Sequence, residues 1–400
     1  MDFFWIQIGK AFSVLRHDGA LSALRKMTIG IWSIIRPFKS GQILFISGGT
    51  GDSARYRAEH PAEFLRNNGI KANYTVQNNI FLNRYVDDFQ IFVFHRVMWT
   101  PKIDLMIRLI KKQKKTIIFE TDDLVFDEKY IQHMAVFQKM NAFEKKQYEK
   151  GVGVEILNDP YVQFATTSTL FLQHKLEQRG KKVFLLPNML SKKDAMRAKL
   201  ILKKKREQTI HRDVSQEKEE CPVYIGYFSG TKSHDKDFAY ISEALQYILE
   251  KYPFTQLVIA GPLVLEDAFA RFSERIIRLP FTSRSKHFEN ISHIDINIAP
   301  LEIGNPFCEG KSELKFFEAG IVEVPTIASA TQTYRDAITQ GKDGFIATSK
   351  KDWIDHLSLL IEDKSLRYSM GKEARKTIVK KYTTSSDVCF EYLKFIQSVL

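Results

Sequence analysis

The segment FCEGKSELKFFEAGIVEVPTIAS, Phe307 to Ser329, sets Glu309, Lys311, Glu313, Lys315 and Glu318 within ten residues, just ahead of an apolar strand. On a helix, Lys311, Lys315 and Glu318 follow i, i+4, i+7 and share one face, while Leu314, Phe317 and Ile321 share another that suits a sheet. Ammonium groups at the start of such a helix suit an anion, and a carboxylate further along accepts hydroxyl hydrogen bonds. The plainer alternative is a solvated stripe in which Lys315 and Glu318 pair, worth a few tenths of a kcal/mol.

Two further stretches carry chemistry of the same kind. SGGTGDSARYR, Ser47 to Arg57, and YFSGTKSHDKDF, Tyr227 to Phe238, each follow an apolar strand with glycine and hydroxyl residues. Small residues there let backbone N–H groups approach a phosphate, and Lys232, Lys236, Arg55 or Arg57 would add charge. Neither loop has the G-x-G-x-x-G or Walker pattern, which disfavours a dehydrogenase or a P-loop enzyme. A glycine turn after a strand is often only a turn, so the matching placement of the two is the stronger signal. FETDDLVFD brings Asp122 and Asp123 beside Glu120, a set that can hold a divalent ion or serve an acceptor or the fold. His95 ends the strand QIFVFH and is either a site residue or a satisfied histidine at the edge of the core.

These groups must be held by a regular framework. QILFIS, KANYTV, QIFVFH, KTIIFE, VQFATTS and KVFLLPN read as strands, with helical patterns between most of them. VYIGYFS, TQLVIAG, RIIRLP, IDINIAP, VPTIAS and DGFIATS form a second series. Strands alternating with helices predict an α/β chain with parallel sheets covered on both faces. Two such halves would leave a cleft at the carboxyl ends of their strands, where ligands bind. The predicted segments are 1–40, basic and amphipathic; 41–190, the first half; 191–220, a charged linker; 221–382, the second half; and 383–400, a C-terminal helix packing back towards the first.

At 400 residues the chain can bury two full cores, and 44% hydrophobic with 26% charged residues is an ordinary globular balance. Cys221, Cys308 and Cys389 match no metal or disulfide spacing and suit a reducing, cytoplasmic compartment. A net charge of +12 implies an anionic partner: nucleic acid, phospholipid or a phosphorylated substrate. The first forty residues mix Phe3, Phe4, Trp5, Phe12, Leu15 and Trp32 with Lys10, Arg16, Arg25, Lys26 and Arg36. No uncharged run approaches the roughly 18 residues of a membrane span. A basic amphipathic helix of this kind suits an anionic bilayer interface, and a hairpin packed on its own domain is the equal alternative. The basic run Ser191–Gln208 reads as a solvated linker helix.

A strand ending in proline (NIAP), a short helix ending in Glu-Ala and the strand VPTIAS resemble the donor-binding core of the group 1, or family 4, glycosyltransferases. VYIGYFSGTKSHDKDF, Leu186–Pro187–Asn188 and DGFIATS extend the likeness, which spans Ile43 to Tyr382. FETDDLVFD and GDSARYRAEHPAEFL look like a bacterial surface-polysaccharide branch. The resemblance implies the GT-B fold, two Rossmann-like domains facing a cleft. It implies transfer of a sugar from a nucleotide-sugar donor to a glycan or lipid-linked acceptor, with retention and with no required metal or cofactor. Glu318 matches the second glutamate of the family's E-x7-E motif, which binds the donor ribose. The first would stand at position 310, which is Gly310, with Glu309 one place early and Glu313 inside the motif. Lys232 takes the phosphate role beside Gly230 and Thr231, and Lys311 supplies the charge of a missing arginine. Donor candidates are thus Gly230, Thr231, Lys232, Lys311, Ser312, Glu313 and Glu318, with Lys232, Lys311 and Glu309 as catalytic groups. Acceptor candidates are Gly49, Thr50, Arg55, Arg57, His95, Asp122 and Asp123. The seven residues from Lys311 to Glu318 give about 10 Å of helix rise, a ruler for a nucleoside diphosphate.

Other classes remain beside this one. A nucleotide-sugar epimerase would share the fold and donor site, and a membrane-associated binding protein would tolerate Gly310. Nucleic acid is not expected as a partner, since no basic patch interleaved with aromatics is present. The expected location is cytoplasmic, peripheral on the inner face of the membrane.

Overall fold

A computed structural model describes residues 34–35, 37, 40–131, 137, 145, 148–149, 151–212, 222–230, 235–280, 282–386 and 389–400. The N-terminal amphipathic segment therefore lies almost wholly outside the described residues, as do Thr231 and Lys232. No helix among the described residues is long and apolar enough to cross a membrane.

The chain builds two six-stranded sheets. The first runs β2 (Ala72–Val76), β1 (Ile43–Ser47), β3 (Ile91–His95), β4 (Thr116–Thr121), β5 (Phe164–Thr167), β6 (Lys182–Leu185). The second runs β12 (Phe345–Ala347), β11 (Thr326–Ser329), β10 (Ile296–Ala299), β7 (Val223–Phe228), β8 (Thr255–Ala260), β9 (Ile276–Leu279). Strands such as ILFIS and INIA are buried along their whole length, as parallel strands covered on both faces must be. The α/β parallel-sheet expectation holds.

By compactness the chain divides into one unit of Met1–Glu120, Val152–Ala165 and Phe395–Leu400, and a second of Thr121–Gly151 and Thr166–Lys394. In the first unit, the helix Pro101–Lys112 shows how the local sequence sets an element. Thr100 caps it by accepting from the Ile103 N–H, Pro101 starts it, and Lys111 and Lys112 end it. Ile103, Met106, Ile107 and Ile110 form its buried face. SGGTGDSARYR is only partly a loop: after Ser47 and a short turn, helical structure runs from Asp52 to Asn67, with a π-helical turn at Arg55–Glu59.

The helices that bear on the site all lie in the second unit: α1 (Leu170–Glu177), α2 (Lys192–Arg212), α3 (Asp235–Ala239), α4 (Arg284–Ser292), α5 (Pro306–Glu309), α6 (Leu314–Gly320) and α7 (Gln332–Ala337). The charged run after Ser191 is the 21-residue helix α2, which reaches α4 through Lys205 Nζ on the Ser292 carbonyl at 2.8 Å. The order of the second sheet reverses between β7 and β10, the switch point at whose carboxyl ends open α/β sheets take ligands. Gly261 keeps the ends of β7 and β8 together. Its φ is +105°, and a Cβ there would stand 1.9 Å from the Ser229 carbonyl oxygen, which no side chain can tolerate.

Candidate functional site

At the carboxyl end of β10 the chain turns through Pro300 and α5 into α6. The helix is shorter than the periodicity predicts. It begins at Leu314, so Lys311 precedes it and the ten-ångström helical ruler does not form. Phe316, Phe317 and Ile321 are fully buried and fix the inner face, while Leu314 is only part-buried.

Lys311 turns to α3, where its Nζ lies 2.9 Å from Asp237 Oδ2. Burial acts to lower the Lys311 pKa, but the Asp237 charge outweighs it, helped by Cys308 and by Asp123, and the ammonium titrates above its ordinary value. The same carboxylate accepts from Cys308 Sγ at 3.2 Å and from the Glu302 N–H at 3.4 Å. Burial, with Asp237 adding to it, pushes the Cys308 thiol up to about 12, so it stays protonated and donates. Burial and then Asp237 likewise hold the Tyr227 phenol well above its ordinary range.

Glu318 does not pair with Lys315. One carboxylate oxygen accepts from Arg284 and the other from His287 Nε2 at 2.9 Å, both donors lying on α4. Arg284 also reaches Asp194 of α2 at 3.5 Å, which Arg197 approaches at 3.6 Å. Lys315 instead lies over the Tyr227 ring, its Nζ 5.7 Å from the centroid. Its pKa is pushed down to about 8, by burial first and by the Lys311 charge second.

The remaining donor candidates have separate partners. Glu309 receives the Gly304 and Gln332 N–H groups at 3.2 Å each, tying α5 to the start of α7. Ser312 accepts from Asn188 Nδ2 at 2.7 Å. Glu313 is buried, takes a hydrogen bond from the Tyr382 hydroxyl, and lines a cavity of about 150 Å³ with Ser168, Thr169, Asp336 and Lys381. Gly310 backs onto α1: a Cβ would stand 3.3 Å from Leu172 Cδ2, and its carbonyl accepts from Thr169 Oγ1 at 3.4 Å. Gly230 is exposed at the end of β7.

The acceptor candidates scatter. Gly49 and Thr50 are exposed, and Arg55 pairs with Asp52 near the surface. Arg57 is not a loop arginine. It is fully buried, with Nε 2.8 Å from Oε1 of the equally buried Glu120. His95 Nε2 and Ser53 Oγ share a hydrogen bond of 2.8 Å. Asp123 caps the turn Leu124–Phe126 by accepting from the Leu124 N–H at 2.8 Å, and Asp122 is part-buried. With Glu120 engaged by Arg57, no group of three metal-ligating side chains forms among the described residues.

Sequence reasoning missed Asp237, Arg284 and His287. Asp237 stood inside the quoted KSHDKDF. Arg284 and His287 are spaced i, i+3 in RSKHF, a one-turn signal that names no partner.

A model of the family described as glycosyl transferases group 1 matches residues 207–377, the span that holds β7 to β12 and the Lys311–Glu318 segment. Over that span the chain is similar to a group 1 glycosyltransferase domain. No curated protein matches the chain by sequence. Among solved structures, HepE from Anabaena in complex with UDP and glucose superposes with a TM-score of 0.59 at 13% identity, covering 90% of this chain and 100% of that one. A glycosyltransferase from Rickettsia africae ESF-5 gives 0.60 at 13% identity, over 90% of this chain and 99% of that one. The pneumococcal O-GlcNAc transferase GtfA, with UDP and GlcNAc, gives 0.50 at 13% identity, over 80% and 60%. The chain shares with them the GT-B fold, with its two parallel sheets.

Proposed function

We propose that this protein is a glycosyltransferase that moves a sugar from a nucleotide-sugar donor to a glycan or lipid-linked acceptor in bacterial surface-polysaccharide synthesis. The observation that carries this reading is the Glu318 carboxylate, fixed by Arg284 and His287 inside the matched domain. Two donors hold its orientation, and a carboxylate, with about four acceptor positions, is suited to accept from ribose hydroxyls. Lys311, and Lys232 outside the described residues, supply positive charge for the diphosphate. Charge grows on that leaving group as the sugar–phosphate bond breaks, so these cations act mainly by electrostatic stabilisation. Neighbours of the same fold are recorded with UDP, glucose and GlcNAc, which supports a nucleotide-sugar donor. Transfer proceeds with retention and without a metal, and the protein sits peripherally on the cytoplasmic face of the membrane through its first forty residues. The test is thermal stabilisation by UDP, ADP, GDP and dTDP, with chelator present. One of the four should raise Tm by several degrees, and its sugar conjugate should support transfer that chelator leaves unchanged. No shift with any of them would overturn the reading.

A further inference from the structure

Several charges around α6 have a partner of opposite sign close by. Asp237 takes Lys311, Arg284 takes Glu318, and Arg197 approaches Asp194. Cys308 of α5 and Tyr227 of β7 remain neutral. Lys315 projects from α6 onto the Tyr227 ring, and among the described residues it makes no ion pair. It thus lacks a contacting carboxylate in a part-buried site at the carboxyl end of β7, the strand at the switch point of its sheet. An ammonium held partly out of bulk water is costly, and the fold offers it only a ring face and distant carboxylates. An anion placed over α6 would give it a direct partner.

Resting on the nucleotide-sugar reading above, we propose that the Lys315 ammonium directly contacts the donor diphosphate. Lys311 then acts half-neutralised by Asp237, while Lys315 brings the full charge. Burial first and the Lys311 charge second bring free Lys315 down to about 8, against the opposing pull of Asp237, Glu318 and Cys308. A bound diphosphate restores the ammonium, and the proton comes from solvent.

Calorimetric titration of the full chain with UDP, ADP, GDP and dTDP at pH 8, in two buffers of different ionisation heat, tests this. The nucleotide that binds should bring an uptake of about half a proton, falling towards zero at pH 7, where the free lysine is already charged. Lys315→Met should weaken binding about tenfold or more and abolish the uptake, as loss of a charge-assisted contact does. Lys315→Arg should bind within a few fold of the parent with no uptake, because its guanidinium is charged at both pH values. The Arg variant also separates a lost contact from a lost fold. Unchanged affinity in Lys315→Met, or uptake that persists in it, would overturn the assignment and leave the nucleotide-sugar reading standing. Failure of all four nucleotides to bind the parent chain would overturn both.

Discussion

Arg57 and Glu120 form an ion pair with neither side chain reaching solvent, Nε to Oε1 at 2.8 Å. Glu120 sits on β4 beside His95 of β3 in the parallel register, so the pair lies under the carboxyl end of the first sheet. Removing one member leaves a buried charge uncompensated, which typically costs about 3–5 kcal/mol. Arg57→Ala should therefore lower Tm sharply, and Arg57→Met with Glu120→Leu should recover most of the loss. Denaturant melts of the three variants measure this. A stable Arg57→Ala protein with reduced transfer would instead make Arg57 an acceptor contact.

Glu318→Gln keeps the side chain's size but replaces one acceptor oxygen with an NH2 group facing Arg284 or His287. The affinity for the nucleoside diphosphate should fall about tenfold, the share of a charge-assisted hydrogen bond. Arg284 retains Asp194 at 3.5 Å, so Tm should move by only a few degrees. Titration calorimetry and a melting curve on one preparation give both readings. A large fall in Tm with unchanged nucleotide affinity would make Glu318 a structural ion-pair partner alone.

Lys315 gives the free protein a signature in pH. Its folded value, about 8, lies below the ordinary lysine value of 10.5. Between those two the unfolded chain holds the proton and the folded chain does not, so stability from this group rises with pH across that window. Below pH 8 both states are protonated, and the full penalty of the buried ammonium is present. Comparing parent and Lys315→Met by urea melts from pH 7 to 10 should show a gap that narrows as pH rises. A constant gap would mean that burial does not depress the lysine.

Deletion of residues 1–39 should release the protein from anionic vesicles while leaving nucleotide binding intact. Each Lys or Arg near an anionic surface contributes about 1 kcal/mol, a term that salt screens. Sedimentation with vesicles containing phosphatidylglycerol, at low and high salt, reads the effect. Full-length protein that stays in the supernatant at low salt would refute the attachment.

The local periodicity of the chain determined most of the fold. Apolar runs such as QILFIS and IDINIAP became buried parallel strands because covering both faces of a sheet demands continuous apolar sequence, a property each strand carries alone. The Lys311–Glu318 segment was legible for the same reason, since its charges crowd one short stretch after a strand ending in proline. Even so, the helix began later than the wheel predicts, with α5 and its Asn305 cap occupying the turn before it.

Only tertiary packing decided what each charge touches. Arg284 and His287 precede Glu318 by 34 and 31 residues, and Arg57 precedes Glu120 by 63. No periodicity links positions so far apart; they meet because α4 packs beside α6 and the Arg55–Glu59 turn packs against the first sheet. Lys311 found Asp237 in the same way, while Lys315 came to lie over the Tyr227 ring. Burial then set the strengths, because the same side chains in water would be solvated singly and would need no partner.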